Sequence, residues 1–284
     1  MFVSSFDRTR IWYNIQKKSG CCLIFVHGWA NNWTTWKKER SYLKNKGYSV
    51  CSLDLRGHGR SDKPNAKKAY TFHAFAKDID AIVRKEKLNE IVLIGHSMGG
   101  LIALSYYKLF KKKRKIKALI LCDTTYRNVF EHHKINVLSP FIRHVLDFII
   151  AHNKINKKHF QHMKDVDLNK YKEASDYFVF YESLHNTPLK AVCACLEAMM
   201  KINLRNILSK IDVPVLIIEG EKDTLLSTLD IEEMFEEIKD VEIDFDPCGR
   251  HFVNLEDPKK VDRYIAHFLN GHNIYPNSLS TFRP

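Results

Sequence analysis

Ile91-Val92-Leu93-Ile94-Gly95-His96-Ser97-Met98-Gly99-Gly100 is the stretch from which the rest of the chain is read. Four apolar, mostly β-branched residues predict a fully buried strand, the glycines a sharp turn, and Leu101-Ile102-Ala103-Leu104-Ser105-Tyr106-Tyr107 the start of a helix. The three meet at Ser97 in a G-x-S-x-G pattern. Such a turn forces its central residue into a strained backbone and tolerates no bulky neighbours, so the hydroxyl is lifted above the carboxyl end of the sheet. The helix that follows directs unpaired N–H groups and its positive dipole end to the same place. Five loosely specified positions also recur by chance in ordinary strand-to-helix turns. Here the strand before and the helix after supply the context that makes Ser97 a candidate nucleophile.

Working outward, Phe2 to Phe6 and Ile11 to Ile15 predict an edge hairpin around Asp7-Arg8-Thr9-Arg10. Cys21 to Val26 is a continuous apolar run of the kind covered on both faces of a parallel sheet. It ends in His27-Gly28-Trp29, where Gly28 lets the backbone turn and leaves the Trp29 N–H as a donor near Ser97; a plain strand-end turn is the alternative. A helix over Trp33 to Lys46 and a strand over Tyr48 to Leu53 lead into Asp54-Leu55-Arg56-Gly57-His58-Gly59-Arg60-Ser61-Asp62. That loop reads as structural, its Asp and Arg side chains satisfying exposed backbone, rather than as a catalytic pair of Asp54 and His58. A helix from Phe72 to Lys87 precedes the Ser97 strand.

Beyond it, Ile116 to Leu121 is a strand with Asp123 at its carboxyl end, a candidate acid to support a histidine. From Thr124 to Asn206 the pattern changes to helical stretches alone. Phe141, Val145 and Phe148 share a face, Tyr177, Phe178, Phe180 and Tyr181 cluster, and Thr187-Pro188 reads as the cap and first turn of a helix from Leu189 to Met200. Strand character resumes at Val213 to Ile218, followed by Glu219-Gly220-Glu221-Lys222-Asp223. A helix over Ser227 to Ile238 and a strand over Val241 to Phe245 then lead to Gly249-Arg250-His251. Asp223 and His251 thus each follow a strand, at the same sheet edge as Ser97. The last helix spans Pro258 to Leu269. Alternating strands and helices predict an α/β fold, a mostly parallel doubly wound sheet with a helical insertion. The expected division is a core of residues 1–123 and 207–270, a helical cap of 124–206 and a loose tail of 271–284.

Composition bounds the function. The chain has 284 residues, 45% hydrophobic and 27% charged, enough for a sizeable core and ordinary for a globular protein. The N-terminus lacks the apolar core of a secretory signal and no apolar run is long enough to span a bilayer, which predicts a cytoplasmic protein. Seven cysteines, most of them in apolar runs and none in a zinc-like spacing, predict free buried thiols. The net charge of +12 raises the question of nucleic acid. Its densest run, Lys108 to Lys117, lacks interleaved aromatics and falls at the end of the helix after Ser97, where cations suit the dipole, so no nucleic-acid partner is expected.

Through His27-Gly28-Trp29, the Asp54 to Ser61 loop, the Ser97 elbow, Gly220-Glu221-Lys222-Asp223 and Gly249-Arg250-His251, the chain from Phe2 to Leu269 resembles the α/β-hydrolases. The resemblance implies a triad of Ser97, Asp223 and His251, with Asp123 at the position where some members carry the acid instead. It implies an oxyanion hole from the N–H groups of Trp29 and Met98, no metal and no cofactor, and hydrolysis of a small-molecule ester through an acyl-enzyme. Family members that open epoxides or remove halogens use an aspartate where this chain has Ser97. The elbow resembles small carboxylesterases and cofactor-free haloperoxidases; lactone, thioester and C–C bond hydrolysis, and a non-catalytic ligand-binding relative, are the other members of this set. His27-Gly28-Trp29 also resembles pimeloyl-carrier methyl esterases, which implies an acidic carrier protein as a partner for Arg143, Lys154, Lys157 and Lys158.

Overall fold

The computed structural model describes residues 1–18, 20–129, 131, 139–152 and 187–276. Eight strands, β1 (Phe2–Ser4), β2 (Arg10–Gln16), β3 (Cys22–Val26), β4 (Ser49–Leu53), β5 (Glu90–His96), β6 (Lys115–Cys122), β7 (Val215–Gly220) and β8 (Val241–Asp246), form one sheet. Its order is β1-β2-β4-β3-β5-β6-β7-β8. The hairpin β1–β2 and the β2–β4 pair are antiparallel, and every later pair is parallel. The described helices are α1 (Lys37–Asn45), α2 (Phe72–Lys85), α3 (Met98–Phe110), α4 (Ser139–His152), α5 (Leu189–Met199), α6 (Arg205–Leu208), α7 (Thr228–Glu237), α8 (Val253–Glu256) and α9 (Pro258–Gly271).

The central strands are apolar throughout because both faces are covered. Ile24, Val26, Leu93, Leu119 and Ile217 pack on one side with Ile79, Ile82, Ile102 and Met234 from α2, α3 and α7. Their neighbours Leu23, Phe25, Val92, Ile94, Ile120 and Ile218 pack on the other with Leu43, Val261, Ile265 and Phe268 from α1 and α9. This alternation is the two-residue period of a strand acting on two helical layers. Strand order reverses between β3 and β5, which places a crevice at their carboxyl ends.

Several local expectations change. The first helix begins as a tight 3₁₀ turn, Trp33–Trp36, capped by the Asn32 side chain on the Thr34 N–H. Thr187 does not cap α5; Pro188 occupies that position, and the Thr187 hydroxyl donates instead to the Ala30 carbonyl at 3.1 Å. The Asp54 to Asp62 loop is structural, but its first part, Asp54 to His58, is buried rather than exposed. Arg56 is wholly inaccessible and donates to Asp78, Asp7 and the Ala69 carbonyl, while Asp54 accepts from the Trp33 and Arg60 N–H groups. Residues 271–276 are not loose: Ile274 is buried, its carbonyl accepts from Tyr48, and Pro276 bridges Gly20. On α4, Val145 and Phe148 are exposed. Tyr177, Phe178, Phe180, Tyr181, Lys154, Lys157 and Lys158, the Phe141 and Arg143 side chains, and the tail from 277 lie outside what is described.

The basic run ends α3 as expected, with Lys111, Arg114 and Lys115 paired to Asp212, Asp80 and Glu90. All seven cysteines are free and six are buried; burial pushes the Cys51 thiol up to about 12. Among the described residues no helix is long and apolar enough to cross a membrane.

Candidate active site

Ser97 stands between β5 and α3 with φ of 52° and ψ of −120°, in the left-handed half of backbone space that residues with a Cβ avoid. The strain persists because the turn is over-determined. The Ser97 N–H donates to the Cys122 carbonyl, and the Ser97 carbonyl accepts from the Gly100 N–H and the Thr124 hydroxyl. Gly95 and Gly99 permit the crossing: a Cβ at Gly95 would meet the Gly99 carbonyl, and one at Gly99 the Val26 carbonyl.

Three loops bring Ser97, His251 and Asp223 together. His251, in the turn after β8, lies with Nε2 at 3.0 Å from Ser97 Oγ and Nδ1 at 2.7 Å from Asp223 Oδ2. Asp223 follows β7, its other oxygen accepting from the Leu225 N–H at 2.7 Å. Its side chain is 1% exposed and that of His251 9%. Burial by itself raises the Asp223 carboxyl, but the charge and hydrogen bond of His251 and the N–H groups of Leu225 and Leu226 outweigh it and hold the group below its ordinary value. A carboxylate bonded to Nδ1–H leaves Nε2 as the acceptor facing the serine hydroxyl. The structure therefore joins Ser97, His251 and Asp223 into one hydrogen-bonded chain.

Asp123 is close by but engaged elsewhere. Its two oxygens accept from the backbone N–H groups of Gly220, at 3.0 Å, and Val253, at 3.1 Å, one at the end of β7 where the Asp223 loop begins and the other just past His251. It thereby ties the two loops together. Oxygens of Asp123, Glu219 and Asp223 lie within 4.8 Å of one another. Three charges so close and so buried repel, and burial with the Asp223 charge pushes Glu219 up to about 9. Burial and the same neighbours push Asp123 up as well. Asp223 already faces the imidazole and Asp123 the backbone donors, so the geometry of these two reads as support for His251 rather than as a cation cage.

The Trp29 turn follows β3, which is the hydrogen-bonded neighbour of β5 with Val26 opposite Gly95, so residues 28–30 stand beside Ser97 and Met98. Met98 is the first residue of α3, and a helix has no acceptor of its own for that N–H. Two buried histidines, one of them the His58 set aside above as a catalytic partner of Asp54, shape the turn. His27 accepts the Leu55 N–H on Nε2 and bonds the Gly28 carbonyl through Nδ1; His58 accepts the Ala30 N–H and bonds the Arg56 carbonyl. Burial pushes both down, His58 to about 4, so both stay neutral. A third, His96, donates through Nε2 to the His251 carbonyl at 2.6 Å and is pushed down to about 3 by burial and by His251. Two apolar strands running directly into a histidine, His27 and His96, were the signal available, and among fourteen histidines it was faint.

The comparisons agree with this architecture. The family model for the alpha/beta hydrolase fold matches residues 22–258. Epoxide hydrolase 3 of Xenopus tropicalis is 24% identical over 266 residues, covering 87% of this chain and 71% of that protein. Among solved structures, an esterase from Exiguobacterium antarcticum superposes with a TM-score of 0.75 at 22% identity, covering 95% of this chain and 99% of the other. A bromoperoxidase from Bacillus anthracis gives 0.75 at 21%, with the same coverage of 95% and 99%. At such identities the structural likeness speaks for the fold, while the family model spans most of the sequence. With its eight-stranded, mostly parallel sheet and a serine elbow at the strand-order reversal, the chain belongs to the α/β-hydrolase fold family.

Proposed function

We propose that this protein is a serine hydrolase that cleaves small-molecule carboxylic esters of small or medium acyl chain through an acyl-enzyme, with Ser97 as nucleophile, His251 as base and Asp223 as its orienting acid. The observation that carries it is the unbroken bond chain from Asp223 through His251 to Ser97, at 2.7 and 3.0 Å. In this reading His251 takes the Ser97 proton as the hydroxyl attacks the ester carbonyl, and Asp223 stabilises the imidazolium. The N–H groups of Met98 and Trp29 receive the oxyanion, a donor there contributing on the order of 10²–10³ in kcat. His251 returns the proton to the leaving alcohol, then activates water to release the acid.

Serine at the elbow supports acyl transfer over chemistry that needs a carboxylate nucleophile. The bonds between the Trp29 turn and α5 support reading residues 124–206 as a cap over the site. Hydrolysis of p-nitrophenyl acetate through decanoate by wild type and Ser97→Ala, with intact mass after a fluorophosphonate probe, tests the proposal. Turnover abolished by the substitution and a single adduct on Ser97 are expected. Folded protein with neither turnover nor adduct refutes it and favours a ligand-binding role.

A further inference from the structure

The turn that carries the Trp29 N–H is held from two sides. Ala30 has φ of 58°, unfavourable for a residue with a Cβ, and such a conformation lasts only while its surroundings impose it. From the core, His58 Nε2 accepts the Ala30 N–H at 3.2 Å, and within the turn the Asn31 N–H closes on the Gly28 carbonyl at 3.3 Å. Two further bonds come from α5 and from Thr187, just before its cap, in the insertion between β6 and β7. The Trp29 indole N–H donates to the Val192 carbonyl at 2.9 Å, and the Thr187 hydroxyl to the Ala30 carbonyl at 3.1 Å. Trp29 is half-buried, whereas Thr187, Ala30 and Val192 are buried, so water competes poorly for the second pair.

We propose that the Trp29 indole and the Thr187 hydroxyl are positioning groups through which helix α5 sets the aim of the oxyanion donor. This rests on the serine hydrolase reading, in which the Trp29 main-chain N–H binds the developing oxyanion. The indole and that N–H belong to one residue, and the Ala30 carbonyl lies two peptide units further on. Pinning both to α5 leaves the intervening backbone little freedom to rotate. When α5 shifts, as when an acyl group too large for the site presses on it, both bonds loosen and the strained turn relaxes. Acyl selection would then act on kcat rather than on binding, because the oxyanion exists only in the transition state.

The test uses Trp29→Phe, which keeps a ring and loses the donor, Thr187→Val, which keeps shape and loses the hydroxyl, and Thr187→Ser, which restores it. Turnover of p-nitrophenyl butyrate, normalised to sites titrated by a fluorophosphonate, is compared with affinity for an alkylboronic acid, whose tetrahedral adduct occupies the oxyanion hole. Trp29→Phe and Thr187→Val should each lower kcat about tenfold, less than outright loss of a donor. KM should move less than twofold, boronate affinity should fall by the factor lost in kcat, and Thr187→Ser should match wild type. A merely structural role would reduce the titrated sites or the melting temperature and leave kcat per site and boronate affinity unchanged, which overturns the proposal. Should one variant not fold, the other decides by the same readouts. Wild type that neither turns over nor takes the probe would show the hydrolase reading itself to be wrong, and the proposal falls with it.

Discussion

Replacing Asp223 and Asp123 by asparagine, one at a time, separates the two acids that follow strands. Asp223 bonds Nδ1 of His251 at 2.7 Å with its side chain 1% exposed, so in the proposed reaction the imidazolium has this carboxylate as its close counter-charge. An amide removes the charge and offers an N–H that selects the wrong imidazole tautomer. The expected loss in kcat for Asp223→Asn is on the order of 10³–10⁴, or roughly 4–5.5 kcal/mol of transition-state stabilisation. Asp123 instead uses one oxygen for the Gly220 N–H and the other for the Val253 N–H. Its amide has a single acceptor, so one buried N–H loses its partner, at about 1–3 kcal/mol of stability. The melting temperature of Asp123→Asn should fall by roughly 5 °C, while kcat per titrated site stays within about tenfold of wild type, the loops shifting only slightly. Initial rates on p-nitrophenyl butyrate, fluorophosphonate titration and thermal melts give all three quantities. If Asp123→Asn costs as much kcat per site as Asp223→Asn, the acid has been misassigned and the reasoning from hydrogen-bond geometry fails.

Two further outcomes follow from the same cluster. His96 holds the His251 carbonyl at 2.6 Å, so His96→Leu should lower kcat about tenfold to a hundredfold by letting the catalytic loop drift; His96→Gln, which keeps a donor at similar reach, should recover most of it, and equal rates in the two variants would remove His96 from the positioning apparatus. Glu219 is pushed up to about 9 by burial and Asp223, above the ordinary 4.5 it regains on unfolding, so the folded chain holds that proton more tightly. Its stabilising contribution is complete below the unfolded value and is lost as pH rises through the folded one. Melting temperatures measured from pH 5 to 9 should decline more steeply for wild type than for Glu219→Gln, and parallel slopes would contradict the assignment.

Local chemistry settled much of this protein before any packing was considered. An apolar run followed by Gly95-His96-Ser97-Met98-Gly99 leaves few backbone solutions, because strand, strained turn and helix are each specified within a few residues. The continuous apolar strands Cys22–Val26 and Ser49–Leu53 likewise announce burial on both faces, and hence a parallel sheet between helical layers. Asp223 and His251 were legible as strand-end residues in the order the elbow implies.

Distance along the chain hid the rest. Asp123 and Asp223 look alike in sequence, since each ends a strand, and only the sheet order and the loop paths put one on the imidazole and the other on two backbone N–H groups. Thr187 has the residue type of a helix cap, yet a carbonyl 157 positions earlier draws its hydroxyl away. Tail residues with no strong pattern are held by Tyr48, 226 positions before Ile274. The sequence by itself determined the elements, their alternation and the residues fit to react, because those depend on neighbours in the chain. Which carboxyl supports the histidine, which histidines shape the loops and how α5 meets the Trp29 turn were decided by the tertiary structure, because each is a hydrogen bond between segments far apart in the chain that meet only once the fold is assembled.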